Sequence, residues 1–370
     1  MKTNLVGLDI GSSGVRAVEL RIGGKTKPEI LHSHEIPLPL GAVVRGEILD
    51  PSTIRDAVHQ LWAEGGFKNK KVVIGTGNQS VLVRELNLPK MPLKHLRESL
   101  PFHVQNILQL PPNEALLDFY PTSESSGEKG PVINGLLVAA EKKGILEKIK
   151  VVEGAGLMVL EVELSAFALN RVLINRPGTM GTVALIDIGA STTSIVVSTN
   201  GEPSFVRIIS GGGNDVTLAL QEELGLAAGS AESLKRSLKY QIQERGETEK
   251  FPQQIQSASE ISPVDPPLVP DFRATKIIRN VTDELLSGLR STVTYFNNLR
   301  SQDPILQIVL TGGGSQLPGI ARALSQITNL PIKSIDPVSS FSLPPKKIPK
   351  KFTVDVTMTT ALGLALRGAS

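Results

Sequence analysis

One phrase occurs twice in this chain, and it constrains the fold more than any other feature. Near the start the sequence reads Val6-Gly7-Leu8-Asp9-Ile10-Gly11-Ser12-Ser13, and mid-chain Ala184-Leu185-Ile186-Asp187-Ile188-Gly189-Ala190-Ser191. Each copy is an apolar strand ending in Asp, then a small-residue turn, then a second apolar run, Val15 to Leu20 or Ile195 to Val197. Taken singly, either copy reads as an ordinary hairpin with a turn aspartate. The duplication, with glycine runs following at Gly211-Gly212-Gly213 and Gly312-Gly313-Gly314, favours two related halves with a nucleotide held between them.

The chemistry of a polyphosphate explains why such turns suit it. Phosphate oxygens need backbone N–H donors at close range, so the loop must lack bulky side chains. The hydroxyls of Ser12, Ser13, Ser191 and Thr192 add donors without adding charge. Mg²⁺ prefers hard oxygens, one or two carboxylates together with phosphate and water. Asp9 and Asp187, each at a strand end beside its turn, are the expected metal ligands.

Composition narrows the alternatives. At 370 residues the chain exceeds what one core supports, so about two to four domains are expected. There is no cysteine, which excludes disulfides and thiolate metal sites. Of the five histidines none sits at a metal-ligand spacing; His32 and His34, two apart in a strand-like stretch, are expected to face water. A net charge of +3 gives no basis for nucleic-acid binding. No apolar run of about 18 residues is present, so no membrane span is expected, and the opening strand containing Asp9 does not read as a signal peptide.

The pattern along the chain predicts an amphipathic helix over 52–62, with Ile54, Val58, Leu61 and Trp62 on its core side, and a strand pair at 71–76 and 81–86. Prolines 89 and 92 mark a boundary. Leu93, Leu96, Leu100, Val104 and Ile107 keep helical spacing to about residue 109, with Pro101 kinking the helix. Strands at 115–120 and 132–140 and a helix over 141–154 complete an insert expected at 88–158. The first half is then 1–87 with 159–182, and the second 183–370. There Asn214 is expected to cap a helix from Asp215, and 245–272, rich in Pro, Gln and Ser, to form an exposed loop. A long helix spans Ile277 to Phe296, Ser315 caps a helix with Pro318 in its first turn, and a helix over 358–366 closes the chain.

These segments resemble the phosphate-1, phosphate-2 and adenosine motifs of the actin-like ATPase superfamily. The resemblance implies an α/β fold of two duplicated ribonuclease-H-like halves, with ATP and Mg²⁺ as ligands. It implies Asp9 and Asp187 as the metal-side aspartates. Gly11, Ser12, Ser13, Gly189, Ala190, Ser191, Thr192, Gly212 and Gly213 become phosphate-loop residues, and Gly312, Gly313 and Gly314 the loop beneath the adenine and α-phosphate. Ala231-Glu232-Ser233-Leu234-Lys235 is similar to the helix by which bacterial actins grip ribose and adenine, which adds Glu232 and Lys235. Glu163 stands where hydrolytic members orient the attacking water. Leu164 stands where MreB carries a proline, which implies weak hydrolysis or none.

Within the superfamily, Pro101-Phe102-His103-Val104-Gln105, Leu110-Pro111-Pro112-Asn113-Glu114 and Leu117-Asp118-Phe119-Tyr120 resemble the PilM family of type IV pilus assembly. That resemblance implies a small α+β insert of the SHS2 type and a cytoplasmic scaffold that reaches the inner membrane only through a partner. The partner would be the N-terminal cytoplasmic peptide of a PilN-like membrane protein, held in a groove between insert and first half. Leu96, Phe102, Val104 and Ile107 are the candidate groove residues, and self-association stays open. Two other readings stay open as well. An FtsA-like division tether is disfavoured because the sequence stops at Ala369-Ser370, just after the last fold helix. An active ATPase or kinase is disfavoured because no catalytic Asp with a supporting motif is present.

Overall fold

The computed structural model describes residues 3–23, 27–108, 110–127, 130–175, 178–238, 272–343 and 354–367. The chain opens with β1 (Thr3–Ile10), β2 (Gly14–Ile22), β3 (Glu29–Pro37), a short hairpin of β4 (Val43–Val44) and β5 (Glu47–Ile48), α1 (Pro51–Gly65) and β6 (Lys71–Thr76). Next come β7 (Leu82–Pro89), α2 (Leu93–His103), β8 (Ala115–Gly127), β9 (Gly130–Glu141), α3 (Lys142–Gly154), β10 (Met158–Leu164) and α4 (Ser165–Asn170). The second half holds β11 (Thr182–Ile188), β12 (Thr192–Thr199), β13 (Glu202–Ser210), α5 (Gly213–Leu224), α6 (Ala228–Ser237) and α7 (Phe272–Leu299). It ends with β14 (Gln307–Thr311), α8 (Ile320–Thr328), β15 (Ile332–Lys333) and α9 (Thr359–Ala365).

Sheet order displays the duplication directly. The first sheet runs β3-β2-β1-β6-β10 and the second β13-β12-β11-β14-β15, each with three antiparallel strands followed by two parallel ones. The central strands are covered on both faces, which is why β1 and β11 are near-continuous apolar runs. Between the sheets the closing helices exchange sides: α9, from the chain's end, lies on β1, and α4 crosses to β12. The approach is close enough to require glycine. A methyl group on Gly7 would sit 2.0 Å from the Ala361 carbonyl oxygen, and one on Gly363 would sit 2.1 Å from that of Ala168. One core cluster joins Leu20, Leu169, Leu173, Leu185, Val196 and Leu362 from both halves. It fixes the halves to each other behind the cleft.

Several boundaries differ from the sequence reading. β7 pairs with β9 and not with β6, whose neighbours are β1 and β10. The insert is therefore the three-stranded sheet β7-β9-β8 with α2, beginning at Leu82 and ending at Glu141. α3 packs on α1 and buries Val151 and Val152 in the first half's own core. α2 stops two residues past Pro101 and does not reach residue 109. α5 begins at Gly213 with Gly212 as its cap, Asp215 accepting from Gly212 N, so Asn214 is not the cap. α8 begins at Ile320, after Ser315 and Pro318. His32 and His34 are half-buried, His32 against the Phe67 ring and His34 3.4 Å from Glu64. The loop expected at 245–272 lies, up to residue 271, outside the described residues.

Candidate functional site

A cavity of about 700 Å³ opens between the halves, within the range of ordinary ligand pockets. Its floor is the pair of duplicated turns, which close in the same way: Gly11 N donates to Gly14 O at 3.0 Å, and Gly189 N to Thr192 O at 2.9 Å. The two turns touch through the hydroxyls of Ser12 and Ser191, 2.5 Å apart. Ser191 Oγ also accepts from Arg45 N at 2.9 Å. Arg45, at φ 51°, forms with Gly46 the left-handed tip of the β4–β5 hairpin, which reaches across the cleft.

Asp9 and Asp187 line this one cavity. Register explains their placement: Asp9 faces Arg16 across β1–β2, and Asp187 faces Ser194 across β11–β12. Removal from water raises the Asp9 pKa, opposed by the charges of Arg16 and Lys148. Asp187 is pushed up to about 7, first by burial and then by the charge of Asp9, with Arg16 opposing. Asp187 therefore lies in the field of Asp9, and among the described residues no hydrogen-bond donor contributes to either shift.

The other wall is built from backbone. The Gly312-Gly313-Gly314 loop follows β14 and lies against the second turn. A methyl group on Gly312, at φ 87°, would sit 2.3 Å from Asp187 Oδ1, and one on Gly314 2.5 Å from Ile188 Cγ2. Gly213 N donates to Gly189 O at 3.0 Å, which seats the start of α5 on the same turn. Further along, Lys235 bonds Glu232 at 2.6 Å and Gly213 O at 3.0 Å. Burial works to raise the Glu232 pKa, but hydrogen bonds from Lys235, Arg236 and Thr217 outweigh it and hold the carboxyl at about 2.

The structure thus brings Gly11, Ser12, Ser13, Gly189, Ala190, Ser191, Thr192, Gly212, Gly213, Glu232, Lys235, Gly312, Gly313 and Gly314 onto one surface with the two aspartates. It does not bring Glu163 there. That carboxylate is buried in an ion pair with Arg171, on a π-helical turn after α4, and lies 3.8 Å from Arg367. Its neighbour Ser165 lines the cavity instead. Leu96 and Val104 are fully buried in the core of the insert, with Ile107 packed against it, so they form no groove. Only Phe102 of that set stands in solvent, 76% exposed.

Two cavity residues escaped the sequence reading. Arg16 pairs with Glu35 at 2.6 Å and bonds Ser13 Oγ at 3.1 Å, while its Nε is buried without an acceptor. Lys148 is buried on α3 and donates to Gly75 O at 3.1 Å. Burial lowers the Lys148 pKa, with Asp9 opposing. Both had a signal: a charged residue at an apolar position, Arg16 between Val15 and Ala17, and Lys148 on the stripe of Ile145, Val151 and Val152.

Comparison with known proteins fits this geometry. The model of a family described as type IV pilus assembly protein PilM matches residues 7–249, through the first half, the insert and the second turn. The chain belongs to the PilM family. A model for the cell division protein FtsA matches 184–363, which leaves out the insert. A chain of the PilM-PilN type IV pilus biogenesis complex aligns with TM-score 0.80 at 26% identity, covering 99% of this chain and 98% of that one. MreB5 of Spiroplasma citri bound to ADP shares the actin-like fold, with TM-score 0.51, 14% identity and coverage of 99% and 96%. FtsA of Bacillus subtilis is 23% identical over 342 residues, 85% of this chain and 74% of that protein. Among the described residues no helix is long and apolar enough to cross a membrane.

Proposed function

We propose that this PilM-family chain is a nucleotide-binding scaffold of type IV pilus assembly. It holds Mg-ATP between its halves and docks the N-terminal cytoplasmic peptide of a PilN-like inner-membrane protein. The observation that carries the reading is the pair of aspartates, one beside each duplicated turn, lining one cavity with no hydrogen-bond donor on either among the described residues. That donor set fits Mg²⁺, which takes one or two carboxylates beside phosphate oxygens and water. The orphaned Nε of Arg16 fits an anion in the same place. The metal's contribution is to neutralise phosphate charge. The turns supply N–H donors, and Glu232 with Lys235 would meet the ribose and base. Engagement of Glu163 by Arg171 removes the group that would orient water, which supports retention of the nucleotide over its turnover.

The solved PilM-PilN complex supports the partner. A second cavity, of about 250 Å³, lies between the first half and the insert. Ile48, Leu49, Asn78 and, from α3, Ile145 line it from the first half, and Ala140 and Glu141 from the insert. It is the groove we assign to the peptide, in place of Leu96 and Val104, and the membrane is reached through that partner. Leu49 offers an exposed apolar contact there, and Phe102 an exposed aromatic one elsewhere on the insert. The PilM reading is favoured over an FtsA-like tether because the PilM model spans the insert.

Calorimetry on the full chain tests both parts. Mg-ATP should bind and lose affinity on chelation of the metal. A synthetic peptide of the partner's N-terminus should bind wild type but not Leu49→Asp, while that variant keeps its nucleotide affinity. A chain that takes up no nucleotide would refute the first part, and unchanged peptide binding by Leu49→Asp the second.

A further inference from the structure

Glu232 and Lys235 line the cavity from the second half, the two turns from both halves, and Gly75, Lys148 and Ser165 from the first half. A nucleotide with its ribose at Glu232 and its metal between Asp9 and Asp187 would run from the second half toward the first, where Lys148 acts on Asp9. The ammonium there is prepared for an anion. The residue is 7% exposed, its one recorded hydrogen bond goes to the neutral Gly75 carbonyl, and no ion pair closes on it among the described residues. An ammonium has three donors, of which Gly75 uses one, and the opposite charge of Asp9 acts on it only through space. The other cationic groups on the cavity have carboxylate partners, Arg16 in Glu35 and both Lys235 and Arg236 in Glu232, although Arg16 keeps its Nε unbonded among the described residues.

We infer that Lys148 binds the terminal phosphate of the bound nucleotide and so makes this site prefer a nucleoside triphosphate to the diphosphate. The inference rests on the nucleotide reading above and adds to it the group that distinguishes the two ligands. A diphosphate seated by the same turns and metal ends short of the ammonium, whereas the triphosphate reaches it and forms a charge-assisted hydrogen bond.

The test is calorimetry of the full chain with Mg²⁺ and either a non-hydrolysable ATP analogue or ADP. Lys148→Met should weaken the triphosphate analogue by about tenfold to a hundredfold and change ADP by less than about twofold. Lys148→Gln, which keeps a polar tip on a slightly shorter side chain without the charge, should do the same. Melting of both variants without ligand should stay close to wild type, since among the described residues the side chain gives up one hydrogen bond and no ion pair. Equal loss for both nucleotides, or loss for neither, overturns the assignment of Lys148 while leaving nucleotide binding intact. A wild-type chain that binds neither ligand overturns this inference and the nucleotide reading together.

Discussion

At equivalent register in the two halves, Asp9 stands opposite Arg16 while Asp187 stands opposite Ser194. The turns that follow have the same hydrogen-bonded closure, yet their surroundings differ in kind. Around the first, side-chain cations gather, Arg16 from β2 and Lys148 from α3. Around the second, backbone gathers: Gly312 and Gly314 press on it from β14, and Gly213 bonds to it from α5. Both turns keep the backbone path that the proposed phosphate site needs, and they differ in the charge around them.

The sharpest way to break this division is to remove the second carboxylate. Asp187→Ala should lower Mg-nucleotide affinity by about a hundredfold or more in calorimetry, a magnitude typical of losing a metal ligand's charge. Undiminished affinity would mean that the second jaw contributes backbone alone.

Next in size is the contrast between glycines. Gly312→Ala places a methyl group against Asp187 and Ile188 at a left-handed φ, so it should cost about 2 kcal/mol or more of unfolding free energy. At Gly11 the nearest atom would be Arg16 Nη1 at 3.2 Å, the tip of a side chain that can move, and the loss should stay below about 1 kcal/mol. Equal losses in denaturant titrations would contradict the claim that only the second jaw is backbone-walled.

The pH dependence follows from the same asymmetry. With a carboxyl at about 7 in the fold and near 4 when unfolded, the native state holds the extra proton between those values. The contribution of Asp187 to stability is thus full below about pH 4 and falls as pH rises to about 7. Mg²⁺ held by Asp187 as proposed would displace that proton, so affinity should weaken by about tenfold for each pH unit below 7. An affinity that does not change between pH 6 and 8 would show that Asp187 is already ionised.

The smallest effect compares the hydroxyls. Ser191 holds Ser12 and Arg45 N, whereas Ser12 holds Ser191 alone among its recorded bonds. Ser191→Ala should therefore cost about 1 kcal/mol in thermal unfolding and Ser12→Ala about half of that. The reverse order would place the weight of the contact on the first turn.

Much of the site was legible along the chain. Asp9 and Asp187, the small residues after them and the later glycine runs have local causes: a turn packed this closely has no room for side chains, and composition records that constraint where it acts. Sheet order follows from the same repeat. The insert was legible as a place but not in extent. A strand's apolar alternation is blind to its partner, and so β7 was assigned to β6 when it pairs with β9.

What the tertiary structure decided is the partner of each charge and the face of each apolar residue. Arg171 lies eight residues from Glu163 and withdraws it from the cavity, whereas Lys148 comes to Asp9 from 139 residues away. Leu96 and Phe102 share one helix, yet one is sealed against Phe119 and Leu137 and the other is left in water. Conformational demands on a turn are settled by its own few atoms. Coulomb energy and burial depend on distance through space, which the chain acquires only on folding.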